Sequence, residues 1–208
     1  MPHDHLSPSG HPYREDNDHP ITYWQRMEIA VRELMIEKGH FTSSEVNAQI
    51  EAMDARSPAN GAAVVARAWV DPEFKTRLLK DASAASLEMG FDIGPLHLIA
   101  VENTKEIHNL IVCTLCSCYP RNLLGLPPDW YKTRAYRSRA VREPRKVLEE
   151  FGITLSSETI IRVHDSTADM RYIVLPQRPE GSEGMSEAEL ATLVTRDSMI
   201  GTGLPKRP

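Results

Sequence analysis

The sequence predicts an α+β protein in which a helical N-terminal arm precedes a layered α/β/β/α-type domain. Three observations support this prediction. Apolar side chains recur at helical spacing from residue 21 to about residue 90, short apolar runs typical of buried strands follow, and further strand and helix patterns fill the rest of the chain. We therefore expect a flexible, histidine-rich tail over 1–20, a helical arm over 21–90 and an α+β domain over 91–208.

The arm is predicted to contain four helices. Gly39 is placed to end the first helix, and a capping box from Thr42 to Glu45 precedes the second. The third helix covers residues 62–70. The fourth begins at Asp71-Pro72 and ends near Gly90. Such short helices bury little core by themselves, so we expect the arm to pack on a partner or on the second half of the chain. The tail carries His3, His5, His11 and His19, and it is either a solvated segment or a metal-gathering one.

The second half of the sequence mixes strands and helices. Strands are predicted over 97–101 and 108–112, and a strand pair over 159–163 and 171–175, joined by a loop around residues 165–169. We interpret His164, Asp165 and Asp169 as part of a solvated turn rather than as a second metal site. A helix over 134–151 should be interrupted near Pro144, and Ser186 to Glu189 should cap a last short helix.

Composition narrows the function classes. The 208 residues include 24 Lys and Arg against 29 Asp and Glu, a net charge of −5 that argues against a dedicated nucleic-acid binder. No apolar run reaches the roughly 18–20 residues of a membrane span, and the first residues lack a signal-peptide pattern. We expect a cytoplasmic protein with neither nucleic acid nor membrane as its partner.

The three cysteines indicate the chemistry. Cys113, Cys116 and Cys118 fall within six residues, whereas a disulfide framework spreads an even number along the chain. Thiolates are soft ligands, so a metal site is the leading hypothesis. A tetrahedral zinc site would need a fourth ligand that the spacing does not supply. A redox thiol pair, inert thiols and a metal-carrying or structural thiolate module remain the alternatives.

The spacing suits another arrangement better. The sulfurs of Cys116 and Cys118 and the backbone nitrogens of Ser117 and Cys118 can surround one ion in a plane, with Cys113 on one face and the other face open. Amide nitrogens are deprotonated only by a strongly Lewis-acidic ion such as trivalent cobalt or iron. Such an ion polarises a bound substrate or lowers the pKa of bound water. Thiolates beside it are exposed to oxidation.

Residues 112–120 (VCTLCSCYP) resemble the metal-binding signature of nitrile hydratase α subunits. The resemblance extends over nearly the whole chain apart from the tail. Matching segments are 66–72 (ARAWVDP), 101–104 (VENT), 108–109 (HN), 124–132 (LGLPPDWYK), 136–139 (YRSR), 141–145 (VREPR), 171–172 (RY), 175–179 (LPQRP) and 194–201 (VTRDSMIG). The motif is highly specific.

The resemblance implies a hydro-lyase that converts nitriles to amides at a non-corrin Co(III) centre. Thr114 indicates cobalt, because iron-type members usually carry serine there. Carried over to this sequence, Cys113, Cys116 and Cys118 supply sulfur, Ser117 and Cys118 supply amide nitrogen, and Cys118 is the catalytic residue. Cys116 would be a sulfinic acid and Cys118 a sulfenic acid. A β subunit would form a heterodimer and contribute arginines to the oxidised cysteines, and a metal-insertion chaperone is a further expected partner.

Two segments depart from the family pattern. Arg121 and Asn122 follow Pro120 where family members usually have Trp-Pro, and residues 94–97 (GPLH) replace a Gln-Gly-Glu stretch. An arginine at this position is expected in the related thiocyanate hydrolase γ subunit, which hydrates an anion. The alternatives to an ordinary nitrile hydratase are therefore a thiocyanate hydrolase γ subunit and a nitrile hydratase for an unusual polar nitrile.

Overall fold

The computed structural model describes residues 20–116 and 118–208. Contacts along the chain form two compact units, residues 1–49 and residues 50–208. The tail over residues 1–19 and Ser117 lie outside the described residues, so the histidine-rich tail stays a prediction.

Two helices begin in the described part of the first unit. Helix α1 spans Tyr23–Glu37 and begins with a capping box between Thr22 and Gln25. Helix α2 spans Ser43–Asp54, and its predicted capping box is confirmed, because the backbone N–H of Thr42 donates to Glu45 and that of Glu45 donates to Thr42 Oγ1. No residue of α1 or α2 is buried.

The second unit begins with three helices that share its core. Helix α3 spans Ala59–Val70, α4 spans Pro72–Lys80 and α5 spans Ala82–Glu88. The single helix predicted after Asp71 is two helices, because the extended backbone of Asp81 ends α4 and its carboxylate accepts a hydrogen bond from Ala84 N at 3.0 Å to cap α5. The buried faces of α3–α5 lie in one core with the strands. The division into a tail, a helical arm and an α+β domain stays a prediction.

Four strands follow, with the bounds His97–Glu102 (β1), Ile107–Val112 (β2), Ile160–Asp165 (β3) and Met170–Leu175 (β4). Among the described residues they form two two-stranded parallel sheets, β1 with β4 and β2 with β3. The predicted pairing of β3 with β4 is therefore wrong. The chain crosses from one sheet to the other after Asp165, so each late strand pairs with an early one. The mixed α+β class is confirmed, and the four-layer order stays a prediction.

Short helices complete the second unit: α6 (Arg121–Leu124), α7 (Asp129–Lys132), α8 (Arg134–Arg142), α9 (Pro144–Glu150), α10 (Glu187–Leu193) and α11 (Arg196–Ile200). The predicted break before Pro144 and the capping box from Ser186 to Glu189 are confirmed. In the part of the chain that the structure describes, every helix is too short or too polar to cross a bilayer.

A buried polar network connects the strands to the C-terminal segment. His108 donates from Nε2 to the carbonyl of Gly201 at 2.7 Å, and burial lowers the pKa of this histidine so that the neutral ring is favoured. Asn109 donates to Asn103 Oδ1 and accepts from His164 Nε2 at 2.8 Å. The solvated-turn interpretation of His164 is therefore wrong, because this half-buried ring lies in β3 and bonds across the sheet.

Candidate metal centre

The three cysteines converge where β2 ends. The Sγ atoms of Cys113 and Cys116 are 3.5 Å apart, those of Cys116 and Cys118 are 3.2 Å apart, and all three lie within 4.8 Å of one another. Cys113 is fully buried directly after Val112, Cys118 is half-buried and Cys116 is exposed. The loop therefore turns back over its own buried first cysteine and brings three sulfurs to one point.

These separations fit sulfurs that surround a single ion. Metal–sulfur bonds of about 2.3 Å place two sulfurs about 3.3 Å apart at a right angle and about 3.8 Å apart at the tetrahedral angle. The observed 3.5 and 3.2 Å match the right-angled arrangement more closely. Among the residues described, no histidine or carboxylate joins this cluster. The sulfurs of the described residues can therefore hold one ion together, but they are one ligand short of a tetrahedral zinc site.

Ser117 lies outside the described residues. The predicted ligation by its backbone nitrogen, and the planar arrangement that depends on it, stay predictions.

The Cys118 thiol holds its proton firmly when no ion is bound. Burial and hydrogen bonds with Cys116 and Cys113 raise its pKa to about 12, and the nearby positive charge of Arg171 opposes this rise. Because a thiolate is the form that binds metal, ion binding at this cluster must release protons.

Tyr131 holds the backbone of the cysteine loop in place at Cys118. Its hydroxyl donates to the carbonyl of Cys118 at 3.0 Å, and the side chain is fully buried. Burial raises the pKa of Tyr131, so the hydroxyl remains a donor at any physiological pH. Tyr131 also packs edge-on against the ring of Tyr119, the residue that follows Cys118 in the sequence.

Asp165 holds the other side of the loop. Its carboxylate accepts from Thr114 N at 2.9 Å and from Thr114 Oγ1 at 2.6 Å, and Arg137 donates to the Thr114 carbonyl at 3.3 Å. The interpretation of Asp165 as part of a solvated turn missed this contact. The two residues are 51 positions apart, and nothing in the local sequence signals their approach.

A cavity of about 370 Å³ opens beside the sulfurs. Cys116 and Cys118 form part of its wall, together with Arg121 and Asn122, which the sequence had singled out as departures from the family pattern. Arg56 and Arg171 also line it; Arg171 lies in a segment that matches the family, whereas no sequence signal pointed to Arg56. The cavity can hold a polarised substrate next to Cys116 and Cys118, the two more accessible cysteines.

Comparison with known proteins gives a consistent result. The family model of the nitrile hydratase alpha chain matches residues 22–203. The low-molecular weight cobalt-containing nitrile hydratase subunit alpha of Rhodococcus rhodochrous is 50% identical over 183 residues, which cover 86% of this chain and 87% of that one. The thiocyanate hydrolase subunit gamma of Thiobacillus thioparus is 42% identical over 198 residues, covering 89% of this chain and 82% of the other.

A solved structure shares the fold as well. A double mutant of the Fe-type nitrile hydratase from Comamonas testosteroni Ni1 superposes with a TM-score of 0.83 at 45% identity, covering 89% of this chain and 91% of that one. The range matched by the family model, residues 22–203, includes the three cysteines. The chain belongs to the nitrile hydratase alpha-chain family.

Proposed function

We propose that this chain is the catalytic α subunit of a cobalt-containing nitrile hydratase. The observation that carries the proposal is the convergence of the Cys113, Cys116 and Cys118 sulfurs within 4.8 Å at the wall of a cavity, in a chain that matches the family from residue 22 to residue 203. Hydration adds one water to the nitrile, with the oxygen ending on carbon and both hydrogens on nitrogen.

In this proposal, Cys113, Cys116 and Cys118 hold the ion through sulfur, and Ser117 and Cys118 hold it through backbone nitrogen. Bound Co(III) supplies Lewis acidity toward the nitrile. Thr114 and the cobalt-containing relative support cobalt, whereas the Fe-type structure makes iron the alternative.

Cys116 and Cys118 carry the reactive oxygens. We propose a sulfinic acid at Cys116 and a sulfenic acid at Cys118, the two cysteines that line the cavity. An oxygen on the Cys118 sulfur would face the substrate, where it acts as nucleophile or as base toward water. The buried Cys113 is shielded from this chemistry.

The chain is proposed to work with a β subunit that contributes arginines to the oxidised cysteines. Helix α1 supports a partner-binding arm, because Trp24 is 77% exposed and Tyr23 is 60% exposed. The heterodimer, the metal-insertion chaperone and the cytoplasmic location stay predictions.

A thiocyanate hydrolase γ subunit is the second candidate. Arg121 at the cavity favours an anionic substrate, and the thiocyanate hydrolase relative is 42% identical. The relatives named as nitrile hydratases favour the first proposal.

The test is to co-express the chain with its β subunit and to measure metal content, cysteine oxidation and turnover together. We expect cobalt in stoichiometric amount, two added oxygens on Cys116, one on Cys118 and amide release from a nitrile panel. Release of carbonyl sulfide and ammonia from thiocyanate, with no amide from any nitrile, would establish the second candidate. Stoichiometric zinc with neither activity would overturn both.

Asp165→Ala should weaken metal retention without unfolding the chain. The substitution removes the two hydrogen bonds that Asp165 accepts from Thr114, and residues that orient a ligand loop typically affect metal affinity about 10–100-fold. Cobalt retention against a chelator measures the effect. Asp169→Ala, an equal charge change four residues away, is the matched control, and equal retention in the two variants would contradict the role of Asp165.

A further inference from the structure

Among the described residues, the Asp, Glu, Lys and Arg side chains that line the cavity beside the cysteines are all arginines. Arg56, Arg121 and Arg171 contribute to its wall, and no acidic residue does so among the described residues. Within the same described ranges, none of the three forms an ion pair with a carboxylate, whereas Arg77 and Arg139 elsewhere on the surface do. Positive charges gathered in one cleft repel each other, and their combined field raises the local concentration of anions.

Hydrogen bonds and a close backbone contact build the frame that carries Arg56 and Arg121. Helix α6 ends at Gly125, whose φ is +71° and where an added Cβ would lie 2.7 Å from the carbonyl oxygen of Arg56. Asn122 donates from Nδ2 to the carbonyl of Asp92 at 2.8 Å. The carbonyl of Asn122 accepts from Asn60 Nδ2 at 3.2 Å. The segments that contain Arg56, Asn60 and Asp92 are therefore held around α6. Arg56 and Arg121 extend from backbone that these contacts fix in place.

Arg171 is held more tightly than the other two. Its Nη1 donates to the carbonyls of Thr167, Ala168 and Met170, so the guanidinium is fixed at the start of β4. Its Nε–H is shielded from water and has no acceptor among the described residues. The guanidinium also lies close enough to Cys118 to influence its thiol. Arg171 therefore adds a fixed positive charge beside Cys118.

We propose that this cavity selects nitriles that carry an anionic group, a carboxylate or a phosphate, in addition to the C≡N group. The proposal rests on the proposed function, since Cys116 and Cys118 receive the nitrile end while Arg121 and Arg56 receive the anion. Arg171 lines the same cavity from a fixed position at the start of β4 and adds positive charge to it.

The size of the cavity favours such a substrate over thiocyanate. Thiocyanate has three heavy atoms, whereas cavities of about 300–1,000 Å³ accommodate organic ligands of many more atoms. The cavity here measures about 370 Å³. The anion and the reacting carbon can therefore occupy separate ends of it.

The experiment uses the cobalt-loaded complex with its β subunit and a matched substrate pair, 4-cyanobutanoate and its methyl ester. We expect kcat/KM for the anion to exceed that for the ester by about tenfold or more at low salt, and the advantage to shrink as ionic strength rises. Arg121→Gln should lower this ratio about tenfold, mainly through KM. Arg162→Gln removes a similar exposed guanidinium from β3 and should leave the ratio unchanged.

Calorimetric binding of 4-cyanobutanoate to the complex purified from cobalt-free medium gives a readout independent of turnover. Binding that Arg121→Gln weakens about tenfold would support the proposal. Hydration of the ester at an equal or higher kcat/KM, with no salt-dependent binding of the anion, would overturn it and leave the nitrile hydratase assignment intact. Turnover of thiocyanate alone would overturn the assignment itself, and this proposal with it.

Discussion

Cys113→Ser should strip the chain of its metal and abolish nitrile hydration. A serine hydroxyl is a hard oxygen donor with a very high pKa, so it does not replace a thiolate as a metal ligand in a site built from soft sulfur donors. Cys113 is also the fully buried member of the cluster, and Cys116 donates its backbone N–H to the Cys113 sulfur at 3.3 Å. We expect the cobalt content to fall to background and kcat/KM to fall by about three orders of magnitude or more.

Elemental analysis of the purified complex, together with amide release, checks this expectation. Leu115→Ala is the matched control, because Leu115 lies in the same loop and its side chain is 83% exposed. Circular dichroism of the two variants tests whether the fold persists. A Cys113→Ser complex that kept one cobalt per chain and full turnover would refute the role of this cysteine.

Gly201→Ala should strongly destabilise the second unit of the chain. The residue has a φ of +92°, and an added Cβ would lie 2.0 Å from the backbone oxygen of Asn109. Because the clash is with backbone in β2, no side-chain rotation relieves it. We expect the free energy of unfolding to fall by about 3 kcal/mol or more, through steric overlap added to left-handed strain.

Gly152→Ala separates the two contributions. Gly152 has a φ of +80°, yet no atom lies within 4 Å of the position its Cβ would take. This variant should lose only about 1 kcal/mol from backbone strain. Urea denaturation of both variants measures the difference, and equal losses would show that the contact with Asn109 is unimportant.

Local signals in the sequence predicted most elements of the fold. The capping boxes at Thr42 and Ser186 and the proline break at Pro144 are each made by residues within a few positions of one another, and all three are confirmed. Strand pairing depends on contacts between distant segments, so alternation along β3 and β4 could not reveal that each pairs with an earlier strand. Helices α3–α5 share one core with the strands, which agrees with the expectation that the short helices of the arm pack on a partner or on the second half of the chain.

The candidate site shows the same limit. A single turn of the chain can bring together three cysteines that lie within six residues, so their spacing favoured convergence, and the structure shows it. Arg121 was recognisable because it departs from the family pattern, and it lines the cavity. Arg171 and Asp165 reach the site from the second half of the chain, and only the tertiary structure reveals their positions.

The parallel pairing of β2 with β3 has a consequence for biosynthesis. A nascent chain that has emerged from the ribosome only as far as Cys118 already contains all three thiols, but it lacks β3 and the Asp165 carboxylate 51 residues after Thr114. Until that later segment is synthesised, the thiols are free to capture zinc or to react with oxidants. Selective loading of the correct ion therefore belongs after translation, when the finished sheet has shaped the loop.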